Sequence, residues 1–180
     1  MISSTSLRYL SFWAKSTTYL VKDVALRAIE LILTNLPKVL VDPQNLTLRT
    51  AMCRGALLAG MAFAKTRTTA CHSISYPITM LYGVEHGLVC ALTLDAVAKI
   101  NREKTFLADD LFELLEKHGG LRYWLDKTAS GIVPLRLSAF GIPKTGIDQI
   151  VQGTFTKGRM DNNPVDIPPE TVKEILLSVY

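Results

Sequence analysis

Apolar residues recur with a helical period through almost the whole chain, and this pattern excludes most folds before any motif is considered. Within residues 21–40, Val24, Ala25, Ala28, Ile29, Ile32 and Leu33 fall on one stripe, the spacing of an amphipathic helix. Asp42 and Pro43 stop it, and Asn45 or Thr47 can cap the next helix, which runs through Met52, Leu57, Met61 and Ala64. Gly55, Ala56, Ala59 and Gly60 keep that helix thin, so a neighbour can approach closely. A further helix is expected over 69–82, with Pro77 kinking it or marking its first turn. Gly83 makes a turn, and helices follow over 85–100, 109–118, 121–128, 145–152 and 169–179. Residues 5–15 also read as the middle of a helix. No alternating run of strand length stands out, and there is no internal repeat. The expected fold is all-α, a single compact multi-helix domain over residues 1–180.

Composition narrows the function. With 48% apolar and 20% charged residues, 180 residues can bury a real core. The longest uncharged apolar run, 55–64, is followed by Lys65 and falls short of the roughly 20 residues that a membrane span needs. The first six residues lack both the basic start and the apolar stretch of a signal peptide, so a cytoplasmic protein with no membrane partner is expected. The net charge of +4 is scattered rather than gathered in a basic stripe, which argues against nucleic acid as a partner. Cys53, Cys71 and Cys90 form no CxxC pair and sit in apolar surroundings, so they read as buried free thiols. No GxGxxG or GxxxxGK[ST] is present, and the sequence shows no phosphate cradle.

Of the three histidines, His118 lies beside Gly119 and Gly120 and reads as a helix C-terminal cap. His72 and His86 differ: each lies in an otherwise apolar setting, and a helix, a turn at Gly83 and a second helix start can bring both rings to one point. Imidazole is a good ligand for iron, zinc, cobalt or nickel. By spacing alone, a satisfied core histidine is the commoner outcome.

The stretch containing them has further marks: Pro77 between the two histidines, Tyr82 shortly before the second, and Gly87 directly after it. In this it resembles the signature of the iron-containing (group III) alcohol dehydrogenases, specifically their C-terminal helical metal-binding domain. Residues 25–32 and 60–64 are similar to that family's preceding helices, and residues 159–164, with Asn162, Asn163 and Pro164, are similar to its Asn-Pro turn before the last helix. The resemblance implies an iron, or sometimes zinc, site of one Asp, one His four residues on, and two later His. It also implies NAD or NADP on an N-terminal α/β domain. His72 and His86 match the two later ligands. The first two positions fall at about Ser3 and Leu7, neither of which can replace them. Some family members carry another His four residues after the first of the later pair; here that position is Tyr76. The 67–77 run is similar to a branch acting on phosphonate-bearing aldehydes, and Arg67 can meet such a charge. Tyr76 and Tyr82 are candidates for the substrate side, and Cys71 lies beside a ligand position.

The expectation is therefore a truncated or split iron-type alcohol dehydrogenase domain, inactive alone, lacking the nucleotide-binding half. Its partner is either a separate nucleotide-binding subunit or a second copy of itself. An exposed apolar wall around Tyr76, Met80 and Tyr82 is expected where that partner docks. The alternatives are a non-catalytic helical binding or oligomerisation module that has kept the scaffold, and a metal protein in which two copies pool their histidines.

Overall fold

A computed structural model describes residues 13–105, 108–155 and 157–180, which form helices and connecting turns with no strand among them. Of the helix expected over residues 5–15, residues 5–12 lie outside the described residues, as do Ser3 and Leu7, while residues 13–15 are not helical. The α-helices are α1 (Tyr19–Val41), α2 (Leu46–Thr66), α3 (Ala70–Tyr82), α4 (His86–Asn101), α5 (Ala108–Glu116), α6 (Leu121–Ala129), α7 (Ile147–Thr154) and α8 (Pro169–Ser178). Each agrees with an expected helix to within a turn. No helix of the described residues is long and apolar enough to cross a membrane.

The α1–α2 pair shows how packing selects a face. Val21, Ala25, Ala28, Ile29, Ile32, Leu33 and Leu36 of α1 are buried, while Val24 lies half-buried at the edge of the stripe. Burial of each large member contributes about 1.5–3 kcal/mol. Asn45 is the cap of α2: its side-chain oxygen accepts from the Leu48 amide at 3.2 Å. The buried face of α2 is the small-residue one, Gly55, Ala59, Ala62 and Thr66. A Cβ at Gly55 would stand 2.9 Å from Cγ1 of Ile32, so only glycine admits α1 this closely. The consequence corrects two expectations. Leu57 and Met61 point to solvent, 65% and 54% exposed, and Cys53, in the same helix, is exposed rather than buried. Gly60 has open space above it and takes no part in the contact.

The other elements hold α3 and α4 in place. α3 packs on α4 and α7, and α7 on α8. The indole N–H of Trp124 in α6 donates to the Leu33 carbonyl of α1 at 3.0 Å. The Asn101 and Asn163 side chains, both fully buried, donate to each other's carbonyls at 2.9 and 2.8 Å, fastening the end of α4 to the turn before α8. Asn162 reaches further, donating to the carbonyls of Thr66 and Thr68 at 2.7 and 3.1 Å. The Asn-Asn-Pro turn thus fixes more than its own shape: it ties together the end of α2, the start of α3 and the end of α4.

Candidate metal centre

The connection between α3 and α4 decides where the histidines meet. α3 continues through Pro77 to Tyr82 and ends at Gly83, whose left-handed backbone (φ 67°) reverses the chain. Only Val84 and Glu85 separate that reversal from the start of α4. α4 consequently starts beside Ser75 rather than beside Tyr82. The Ser75 hydroxyl lies 2.9 Å from Nδ1 of His86 and donates to the His72 carbonyl at 2.7 Å. The His72 and His86 rings are 5.3 Å apart, tilted by 56°.

One helical turn beyond His86 on the same face is Cys90. Donor atoms of His72, His86 and Cys90 all lie within 4.8 Å of one another. The Cys90 thiol is buried and contacts the Cys71 carbonyl at 3.8 Å. Burial pushes its pKa up to about 12, with the neighbouring Ser75 hydroxyl acting the other way. Cys71 is fully buried and, although next to His72 in sequence, is not the sulfur of this group. Its pKa is also raised, first by burial and then by Cys90. The His86 pKa is lowered, first by burial and then by the charge of Arg159, so the imidazole is held in the neutral form that can donate a lone pair.

The other expected residues divide. Tyr76 belongs to the corner, its ring 4.9 Å from that of His86, with the Arg159 guanidinium 4.1 Å from the ring centre. Tyr82 is half-buried and seated elsewhere: its hydroxyl fills the space that a side chain at Gly146 would need. Arg67 is exposed, at the end of α2. The apolar wall is narrower than expected, with Met80 81% and Leu81 46% exposed while Tyr76 and Tyr82 are half-buried. Sequence reasoning missed Ser75, Cys90 and Arg159. Only Cys90 carried a signal, its i+4 spacing from His86. A roomier depression lined by Asp95, Lys99, Arg122, Asp126 and Glu174 lies apart from this corner. Its charges pair along their own helices, Lys99 with Asp95 and Arg122 with Asp126, as on a solvated face.

Comparison with known proteins identifies the class. Residues 10–120 match the Fe-containing alcohol dehydrogenase family, C-terminal, and the chain belongs to that family. Among curated relatives it is 36% identical over 74 residues to the phosphonoacetaldehyde reductase of Streptomyces viridochromogenes, covering 41% of this chain and 19% of that protein. It is 25% identical over 167 residues to the long-chain-alcohol dehydrogenase 1 of Geobacillus thermodenitrificans, covering 84% of this chain and 41% of the relative. Among solved structures it superposes on the sulfoacetaldehyde reductase from Bifidobacterium kashiwanohense in complex with NAD+ with a TM-score of 0.80 and 26% identity. That match covers 98% of this chain and 48% of that one. The iron-containing alcohol dehydrogenase from Thermotoga maritima has the same fold, with a TM-score of 0.81 over 99% of this chain and 47% of its own, at 22% identity. The chain thus spans half or less of the length of these relatives.

Proposed function

We propose that this chain is the metal-carrying helical wall of an alcohol or aldehyde oxidoreductase and that it is inactive by itself. NAD or NADP would reach it on an α/β unit that faces the histidine corner. The observation that carries this reading is the convergence of His72 and His86, from two different helices, to ring centroids 5.3 Å apart. The donor chemistry fits a divalent transition ion: two imidazoles suit iron and zinc, and the nearby Cys90 sulfur adds a softer third donor. When bound, such an ion supplies Lewis-acid polarisation of the substrate oxygen.

The chain's own residues have definable parts in this. The Ser75 hydroxyl spends its proton on the His72 carbonyl, so its oxygen accepts from Nδ1–H of His86; this orients the ring and leaves Nε2 as the ligating atom. Tyr76 covers one flank of His86 and limits water access. The exposed Met80 and Leu81 give the nucleotide-binding unit, or a second copy of this chain, an apolar place to dock. The substrate is a small alcohol or aldehyde, and the relatives named for phosphonoacetaldehyde and sulfoacetaldehyde add anion-bearing short aldehydes to the candidates.

A non-catalytic module is the second reading, favoured by Ser3 and Leu7 at the positions where the family resemblance places an Asp and a His. Metal content separates the two. Anaerobically purified protein offered iron and zinc is expected to hold close to one ion per chain, and the double variant His72→Ala/His86→Ala essentially none. Equal, negligible metal in both proteins would refute the first reading and leave the second.

A further inference from the structure

Beside the histidine corner is a second cluster that the metal reading does not use. The guanidinium of Arg159 stands 4.1 Å from the centre of the Tyr76 ring, which is itself 4.9 Å from the ring of His86. Stacking on an aromatic face occupies none of the N–H donors of a guanidinium. Arg67 reaches the same segment: its Nη1 lies 3.9 Å from where a Cβ of Gly158, the neighbour of Arg159, would sit. Among the described residues neither Arg67 nor Arg159 forms an ion pair. The two short segments that carry them hold Lys65, Arg67, Lys157 and Arg159 against the single carboxylate of Asp161.

The backbone of Arg67 is also unusual. It has φ 63° and ψ −173°, a strained region that residues other than glycine almost never occupy. The conformation is held from both sides, because the Asn162 side chain binds the carbonyls of Thr66 and Thr68, one before and one after it. The same turn that positions Arg159 therefore also positions Arg67. A guanidinium beside a site for a divalent cation works against that cation unless an anion lies between them.

We infer that Arg159 and Arg67 bind the tetrahedral oxyanion head of the substrate, a phosphonate, phosphate or sulfonate, while its oxygen-bearing carbon lies at the histidine corner. Arg159 is the closer, specificity-determining contact, and Arg67 closes the far side. Because the guanidinium lies 4.1 Å and the His86 ring 4.9 Å from the centre of the Tyr76 ring, the head and the reactive carbon are few atoms apart, which selects a short chain. Fork-shaped donors match three equivalent oxygens and discriminate strongly against an uncharged alcohol. The identity of the reacting end rests on the function proposed above; binding of the anionic head does not.

The test is a titration of the full chain at constant ionic strength with ethylphosphonate, ethanesulfonate, inorganic phosphate and 1-propanol, read by calorimetry and, for the phosphorus compounds, by 31P NMR. Saturable binding of the ethyl anions, absent for 1-propanol, is expected. Arg159→Ala should weaken it at least tenfold and Arg67→Ala severalfold, with Arg159→Lys in between, while Lys99→Ala, remote from the cluster, leaves it unchanged. Tighter binding of the ethyl compounds than of inorganic phosphate indicates a substrate-borne head; the reverse order would overturn that part of the inference. Should Arg159→Ala fail to fold by circular dichroism, Arg159→Gln and Arg67→Ala decide the question. Parent-like affinity in the folded arginine variants, or no saturable binding by the parent, would overturn the inference. Repeating the titration in His72→Ala/His86→Ala keeps the two proposals apart. Anion binding without metal in either protein would leave this inference standing and remove the metal reading; metal without anion binding would do the reverse.

Discussion

The α1–α2 pair and the α3–α4 pair are both antiparallel neighbours in sequence, yet they are held together by opposite kinds of surface. Between α1 and α2 the contact is apolar and shape-driven: Ile32 sits over Gly55, and no polar side chain is needed. Between α3 and α4 the facing groups are His72, Ser75, His86 and Cys90, with Ser75 and Cys90 buried and the two histidines half-buried at the edge of the apolar core. A helix pair that needs only stability is built like the first. Gathering two half-buried imidazoles and a buried thiol at one point costs desolvation that apolar residues would avoid, which makes the second pair the candidate site.

Mutations can break or sharpen this contrast. The largest effect is expected at the apolar pair: Ile32→Ala should lower stability by about 3–4 kcal/mol in denaturant titrations while leaving the metal content of the remaining folded protein unchanged. If metal were lost in parallel, the two regions would be one cooperative site rather than a scaffold and a centre. Next comes the amide clasp that braces α4. Asn163→Ala leaves the Asn101 side chain buried without its partner and should cost about 1–3 kcal/mol. Because Asn101 and Asn163 lie away from the histidines, a paired substitution of both by leucine should recover part of that loss.

A smaller effect concerns pH. The folded-state pKa of His86 lies below its free value near 6.5, because of burial and then Arg159, so the folded form binds fewer protons than the unfolded one. Stability is therefore complete above that free value and declines as the pH falls through it towards the folded pKa. His86→Ala should remove this component of the decline in melting temperature, and Arg159→Ala should reduce it only in part, since burial is the larger cause. NMR titration of the His86 ring in the parent and in Arg159→Ala checks the order of the two causes directly. The smallest effect belongs to the outer face of α2: Leu57→Gln should change stability by no more than about 0.5 kcal/mol, because that side chain is 65% exposed. A loss well above this would mean that the face is covered in solution.

How much of this was legible in the sequence follows the same contrast. Helix positions, the Asn45 cap, the Gly83 reversal and the meeting of His72 with His86 could all be read, because each depends on local period, capping or a turn. The buried face of α2 could not. That helix carries two stripes, one of large apolar residues and one of small ones, and only the shape of α1 decides between them. Ser75 was hidden for a different reason: its place beside His86 depends on where the chain re-enters α4 after Gly83, and an ordinary serine gives no sign of it, whereas Cys90 carried only its i+4 spacing from His86. Arg159, far along the chain, reaches Tyr76 because Asn162 and Asn163 clasp their turn to α2 and α4. Contacts that depend on several such clasps at once leave no periodic trace.

The central claim is that His72 and His86 together hold one metal ion. Loading the protein with cobalt(II) reports on this most directly, because the visible absorption of that ion depends on the number and type of its ligands. A shared site gives a saturable spectrum at one cobalt per chain with intense bands of low coordination number, abolished by either His72→Ala or His86→Ala. A sulfur-to-cobalt charge-transfer band is also expected, and it is lost in Cys90→Ser. A weak six-coordinate spectrum, identical in the parent and in both histidine variants, would contradict a shared site.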